Sequence, residues 1–150
     1  MPYKTGEWGN EAKARSKRRR EYFLEYRKTH PSKSCYKRSF KGFGSLGEII
    51  GLKIFEGSVL VRRPNFDITW KDKKIEIKIA TLQNKRNRWT FSTGRQKGKT
   101  DYFLLIGMDK DRKNIVKIYF IPDNVMDNRK YTTLGMRSKR FKEFRMEVNF

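Results

Sequence analysis

The chain has one cysteine, Cys35, and one histidine, His30, in 150 residues. A disulfide framework within one copy is therefore excluded. The same scarcity leaves too few ligands for a zinc finger or an HNH-type nuclease centre, and too little imidazole for a histidine-based acid/base engine. Any catalysis has to be carried by carboxylates and lysines. Acids are sparse too: 16 Asp and Glu stand against 37 Lys and Arg, a formal net charge of +21. Long apolar runs are missing as well. No stretch is long enough to span a bilayer, and the first residues lack the hydrophobic segment of a secretory signal, so a cytoplasmic, nucleoid-associated setting is expected.

Aromatic residues are plentiful, with 11 Phe, 7 Tyr and 3 Trp. They make a packed core affordable although the apolar fraction is only 36%. One compact domain plus an arm suits this length. A chain carrying +21 works best beside a polyanion. Nucleic acid is favoured over an anionic membrane, because each neutralised phosphate releases counterions and adds affinity whatever the sequence.

Residues 1–34 read as a basic helical arm. Asn10 is placed to cap a helix beginning at Glu11 and ending at Lys28, before Pro31. Its Lys13, Arg15, Lys17, Arg18, Arg19 and Arg20 are assigned to DNA phosphates; the plainer alternative is a solvated charged helix. "HPSKS" reads as a linker and "CYKRSFKGFG" as a basic, aromatic connector into residues 35–150. There, "SLGEIIGLKIFEG" has helical periodicity, with Leu46, Ile49, Ile50 and Ile54 toward a core and Gly57 as a stop. Strand-like runs follow at "SVLVRR", "NFDITWK", "KKIEIKIAT", "RWTFST", "DYFLLIGM" and "IVKIYFIP". The second and third form a hairpin across Lys71–Lys73, and "DYFLLIGM" is the central strand. "MRSKRFKEFR" is expected to form a last helix.

The informative stretch is "FDITWKDKKIEIKIAT", Phe66 to Thr81. In a strand alternate side chains share a face, so Ile75, Ile77 and Ile79 enter a core while Glu76 and Lys78 point the other way. Antiparallel pairing brings Asp67 toward Glu76. Two carboxylates beside a lysine suit Mg²⁺, a hard ion satisfied by carboxylate and water oxygens. Such a metal polarises a phosphodiester and acidifies water, and a lysine stabilises developing negative charge. The competing reading is the solvated face of an antiparallel strand, with Lys74 beside the pair.

The order of a helix with Glu48, then "RPNFDI" with Asp67, then "EIK" at Glu76–Lys78 resembles the PD-(D/E)XK nuclease superfamily, over roughly Ser45 to Pro122. That superfamily includes restriction endonucleases, Holliday-junction resolvases and some intron-encoded homing endonucleases. The resemblance implies an α/β fold with a central mixed sheet flanked by helices. It implies Mg²⁺-dependent hydrolysis of phosphodiesters in double-stranded DNA. Asp67 and Glu76 would be the metal-holding acids, Lys78 the catalytic lysine and Glu48 the acid many members carry on the preceding helix. Phe66 rather than proline precedes Asp67, and "RWTFSTGRQKGKT" stands where a helix usually follows the motif.

Glu48 has a second reading, since Ser45-Leu46-Gly47-Glu48 is also a capping-box pattern. Gln96 and Lys97 are expected near the scissile phosphate or on the DNA backbone. Arg86, Arg88, Arg95 and Lys99 join the phosphate contacts, while Trp89 and Phe91 are assigned to the core. The function expected is a site-specific endonuclease of the homing type. The alternatives are a junction-resolvase-like nuclease and a non-catalytic ribosomal or architectural binder. Cutting both strands calls for two sites, hence a homodimer or larger symmetric assembly.

Overall fold

A computed structural model describes residues 3–4, 6–29 and 43–148. The linker, His30, Cys35 and the "CYKRSF" segment lie outside the described residues, as do the side chains of Tyr22, Phe23, Tyr26 and Ser45. The Ser45 cap therefore lies outside them too.

Two helices precede the strands. Helix α1 spans Gly6–Thr29, beginning more than a turn before the expected start, so Asn10 sits inside it and is not its cap. Helix α2 spans Phe43–Ile54 and ends at a turn closed by Gly57, whose φ of +81° is the left-handed conformation glycine accepts without cost. The strands, after an N-terminal β1 at Tyr3–Lys4, are β2 (Val59–Arg63), β3 (Phe66–Trp70), β4 (Lys73–Thr81), β5 (Arg88–Ser92), β6 (Tyr102–Met108), β7 (Asn114–Pro122), β8 (Tyr131–Gly135) and β9 (Arg145–Met146). The main sheet runs β1-β7-β6-β4-β3-β2, with β9 also on β7. It is mixed: β4 and β6 are parallel, and the other pairs are antiparallel. The β3–β4 hairpin turns at Lys71 and Asp72, with φ of +48° and +61°. Positive φ at both central residues is what a two-residue hairpin following the strand twist requires.

The two faces of the sheet bury different cores. On one face, Ile68, Ile75, Ile77, Leu104 and Ile106 pack under α2, and Ala12 brings α1 into the same cluster. Gly47 and Gly51 let α2 lie close, since a Cβ at either would meet the Ile77 side chain. On the other face, Ala80, Phe103, Leu105, Tyr119 and Ile121 pack beneath Trp89, Phe91 and Leu134. Those last three belong to a separate two-stranded sheet of β5 and β8. The architecture is α/β with a mixed central sheet, as expected, but both helices cover one face and a β-ribbon covers the other.

The ribbon replaces the helix that usually links two parallel neighbours such as β4 and β6. Its anchor is Trp89, fully buried, whose Nε1 donates to the Met108 carbonyl at 2.8 Å. Gly107 makes room for the indole: a Cβ there would stand 2.7 Å from Trp89 Cε2. Gly107→Ala is expected to lower stability by about 1–3 kcal/mol through overpacking, read as a fall in the urea midpoint at unchanged slope.

The expected final helix over Met136–Arg145 does not form. The backbone turns at Gly135, becomes left-handed at Phe141 (φ +59°) and makes only a short 3-10 turn over Lys142–Phe144. Phe141 is buried, and Met136 and Phe144 pack beside it in the ribbon-side core. With so few apolar residues among cations, irregular backbone carries these three inward better than one helix face would. Strand β8, just before, has its buried residues at Thr132 and Leu134 and had no expectation attached to it.

Candidate active site

The ladder between β3 and β4 pairs Trp70 with Lys73, Thr69 with Lys74 and Ile68 with Ile75, and there it stops. Carried one step further, the register sets Asp67 opposite Glu76. The strands part at that point, and Asp67 fills the opening: its Oδ2 accepts from the backbone N–H of Ile77 at 2.8 Å. A side chain thus takes the place of a ladder partner, which satisfies the amide and fixes the carboxylate.

Glu76 is buried, and its Oε1 lies 2.6 Å from Lys78 Nζ. The ion pair would by itself depress the Glu76 pKa. Burial and the neighbouring Asp67 charge outweigh it, and the carboxyl is pushed up from 4.5 to about 7. Asp67 is likewise raised above its ordinary 3.8, first by burial and then by the charge of Glu48, against the Ile77 N–H bond, Lys78 and Arg19. Both acids resist ionising together, so the pocket is short of positive charge.

Glu48 reaches this group from α2. It is buried, it acts on Asp67 electrostatically, and Arg19 Nη2 stands 3.5 Å from its Oε1. Arg19 is therefore drawn to the acids, and not outward to DNA as the sequence suggested. Ala12, Ser16 and Arg19 recur at spacings of four and three, one helix face, and Ala12 and Ser16 are buried. Two small residues in that register within a run of cations were the signal for an inward arginine.

Asp67, Glu76 and Lys78 thus come together, and Glu48 and Arg19 act on Asp67 from the helix side, Arg19 being the member sequence reasoning placed elsewhere. Among the described residues, no three His, Cys, Asp or Glu side chains form a metal-ligating group. The candidate donors are the Asp67–Glu76 pair.

The other expected contact residues divide. Lys13, Lys17, Arg18 and Arg20 are exposed on α1, while Arg15 pairs with Glu11 at 2.7 Å. Arg86, Arg95 and Lys99 are exposed, and Arg88 lies on the ribbon. Lys97 is turned inward: Nζ donates to the Asp123 carbonyl at 2.6 Å and lies 3.2 Å from its Oδ2. It locks the loop before β6 and is not offered to a phosphate. Gln96 Nε2 donates to the Pro64 carbonyl at 3.4 Å, tying the same loop to the turn that leads into Asp67.

The fold has a solved counterpart. It is that of a bacterial homing endonuclease, I-Ssp6803I. The two chains are 17% identical with a TM-score of 0.51, and the likeness covers 71% of this chain and 86% of that one. At this identity the likeness establishes a shared fold. No family model and no curated protein sequence matches the chain. Among the described residues, no helix is long and apolar enough to cross a membrane.

Proposed function

We propose that the chain is a Mg²⁺-dependent endonuclease that hydrolyses phosphodiester bonds in double-stranded DNA, of the PD-(D/E)XK type and the homing kind. The observation that carries this reading is the buried meeting of Asp67, Glu76 and Lys78 where β3 and β4 part, in a chain of net charge +21. The fold shared with I-Ssp6803I supports it.

The residues fit a hard cation. Asp67 and Glu76 supply oxygen donors, and burial with the charge of Asp67 raises the cost of ionising Glu76, a cost that a divalent ion offsets. When bound, Mg²⁺ would polarise the phosphodiester and lower the pKa of water. The chain's own part is positional and electrostatic. Asp67 is held by the Ile77 amide, so its second oxygen keeps one direction. Lys78, close to Glu76, places a positive charge where phosphorane charge develops and orients the attacking water. Arg19 and Glu48 flank Asp67 and hold the field around it. Exposed cations of α1 and the loops hold the DNA backbone.

Two strands require two such sites, so the working form is a homodimer or a larger symmetric assembly, in a cytoplasmic, nucleoid-associated or mobile-element setting. Light scattering with substrate bound tests the assembly, and a single-copy mass overturns it.

The test of function is incubation of supercoiled plasmid libraries and genomic DNA with and without Mg²⁺. Wild-type protein is expected to cut only with the metal. Asp67→Ala is expected to cut roughly 10³-fold more slowly or not at all, while gel-shift binding survives. A wild type that binds but never cuts, or an Asp67→Ala variant that cuts equally well, favours a non-catalytic binder instead.

A further inference from the structure

We infer that the outer face of the β5–β8 ribbon reads base edges in the major groove of DNA, with Arg88, Thr90 and Thr133 as specificity-determining side chains. This rests on the reading above that the chain acts on duplex DNA, and it names the surface that would choose the sequence.

The ribbon's inner row is fully committed to the core. Trp89, Phe91, Thr132 and Leu134 are buried, and Thr132 Oγ1 shares a 2.7 Å hydrogen bond with Thr93 Oγ1. Period-two alternation then fixes the outer row. Register pairs Arg88 with Gly135, Thr90 with Thr133 and Ser92 with Tyr131. This row has no acid and no aliphatic residue. A sheet face serving only as a solvated cover in so basic a chain would be expected to carry lysines. Here cations stand at the ends instead: exposed Lys85, Arg86 and Arg137 near one end, and exposed Arg129 and Lys130 near the other. Asp127, four residues before Tyr131, is paired with Arg140. Cations at both ends with neutral donors and acceptors between them match a groove whose rims are phosphate and whose floor is base edges.

The dimensions agree. Two strands about 4.8 Å apart, with their side chains, fit a major groove roughly 12 Å wide, which accepts a two-stranded β-ribbon. The outer row is also prepared. Gln83 Nε2 donates to Thr90 Oγ1 at 3.3 Å, and Arg88 Nε donates to Gln83 Oε1 at 3.3 Å. One amide thus orients both a hydroxyl that accepts or donates to any base and a guanidinium suited to guanine.

The ribbon also lies on the right side of the sheet. Glu76, Lys78 and Ala80 alternate along one face of β4, and Ala80 belongs to the core beneath the ribbon. The ribbon and the catalytic lysine therefore lie on the same side of the sheet, with Lys78 only about 7 Å along the strand from Ala80 and the reading surface on the ribbon's far side, one layer of about 10 Å further out. The loop from β5 to β6 spans the interval, tied by Gln96 to Pro64 and by Lys97 to Asp123. DNA on this face would meet both.

The experiment is binding selection from a randomised duplex library in EDTA, so that cleavage plays no part. Wild-type protein is expected to select a consensus. Arg88→Ala and the double change Thr90→Ala with Thr133→Ala, all at half-buried positions of the outer row, are each expected to lose preference at distinct positions, with discrimination there falling about 5–100-fold. Arg86→Ala is expected to weaken binding to all sequences alike and to leave the consensus intact. Unfolding midpoints near wild type exclude misfolding as the cause. A wild type that selects no consensus, or a consensus unchanged in both ribbon variants, overturns the inference. Loss of Mg²⁺-dependent cleavage in the separate assay would overturn the nuclease reading without altering this result.

Discussion

Replacing Lys78 with Met is expected to slow Mg²⁺-dependent DNA cleavage by at least roughly 10³-fold at neutral pH, through two separable losses. The first is electrostatic tuning. The ammonium lies 2.6 Å from Glu76 and lowers the pKa of both Glu76 and Asp67. Without it both acids hold their protons more tightly, so the metal must displace them and its apparent affinity falls. The second is transition-state stabilisation, which neither pH nor metal concentration replaces. Raising the pH toward 9 and titrating Mg²⁺ to saturation is therefore expected to restore metal binding and leave a deficit of about 10²–10³ in kcat. Full recovery of kcat would reduce Lys78 to a group that merely adjusts its neighbours. Arg at this position is not a conservative test, because a planar fork cannot occupy the place of a compact ammonium.

Much of this arrangement is legible in the sequence because it follows from local rules. Period-two alternation in "KKIEIKIAT" places Glu76 and Lys78 together, and the polar turn expected at Lys71–Lys73, which the structure narrows to Lys71–Asp72, carries Asp67 toward them. The strand order puts "DYFLLIGM" in the centre because it is buried on both faces, and such strands read as unbroken apolar runs. The parts that escaped depend on distant partners. Strand β8 is half polar and makes sense only when Thr132 meets Thr93 and Leu134 enters the core beside Trp89. Lys97 has the same composition context as Arg95 and Lys99, and only the approach of Asp123 turns it inward. Arg19 sits in a block of like charges, where the identity of the one residue facing Glu48 is a matter of helix phase and docking. Charge composition reports that a surface is basic. It does not report which cations the fold keeps for itself.

Glu76→Gln is expected to abolish cleavage and, in the absence of metal, to stabilise the protein at alkaline pH. In the folded chain the Glu76 carboxyl has a pKa of about 7, against 4.5 ordinarily, so it is stabilising only while protonated. Below pH 4.5 that contribution is fully present. Between pH 4.5 and 7 the folded state binds more protons than the unfolded state, and stability falls as pH rises; above 7 the loss is complete. The shift corresponds to roughly 3 kcal/mol, and to less where Lys78 loses its partner in the variant. Gln mimics the protonated form at every pH. Thermal unfolding in EDTA at pH 8 is therefore expected to place the variant about 4–10 °C above wild type, with the gap closing as the pH is lowered toward 5. Adding Mg²⁺ reverses the order, because a cation that binds the folded site raises the wild-type midpoint by mass action and leaves Glu76→Gln nearly unmoved. A variant no more stable than wild type at pH 8 would mean that the acids are not strained together. Equal stabilisation of both proteins by Mg²⁺ would move the metal away from Glu76. The same substitution thus separates two properties of one side chain: the burial and the repulsion from Asp67 that make Glu76 costly to keep charged are what make the pair receptive to a divalent ion.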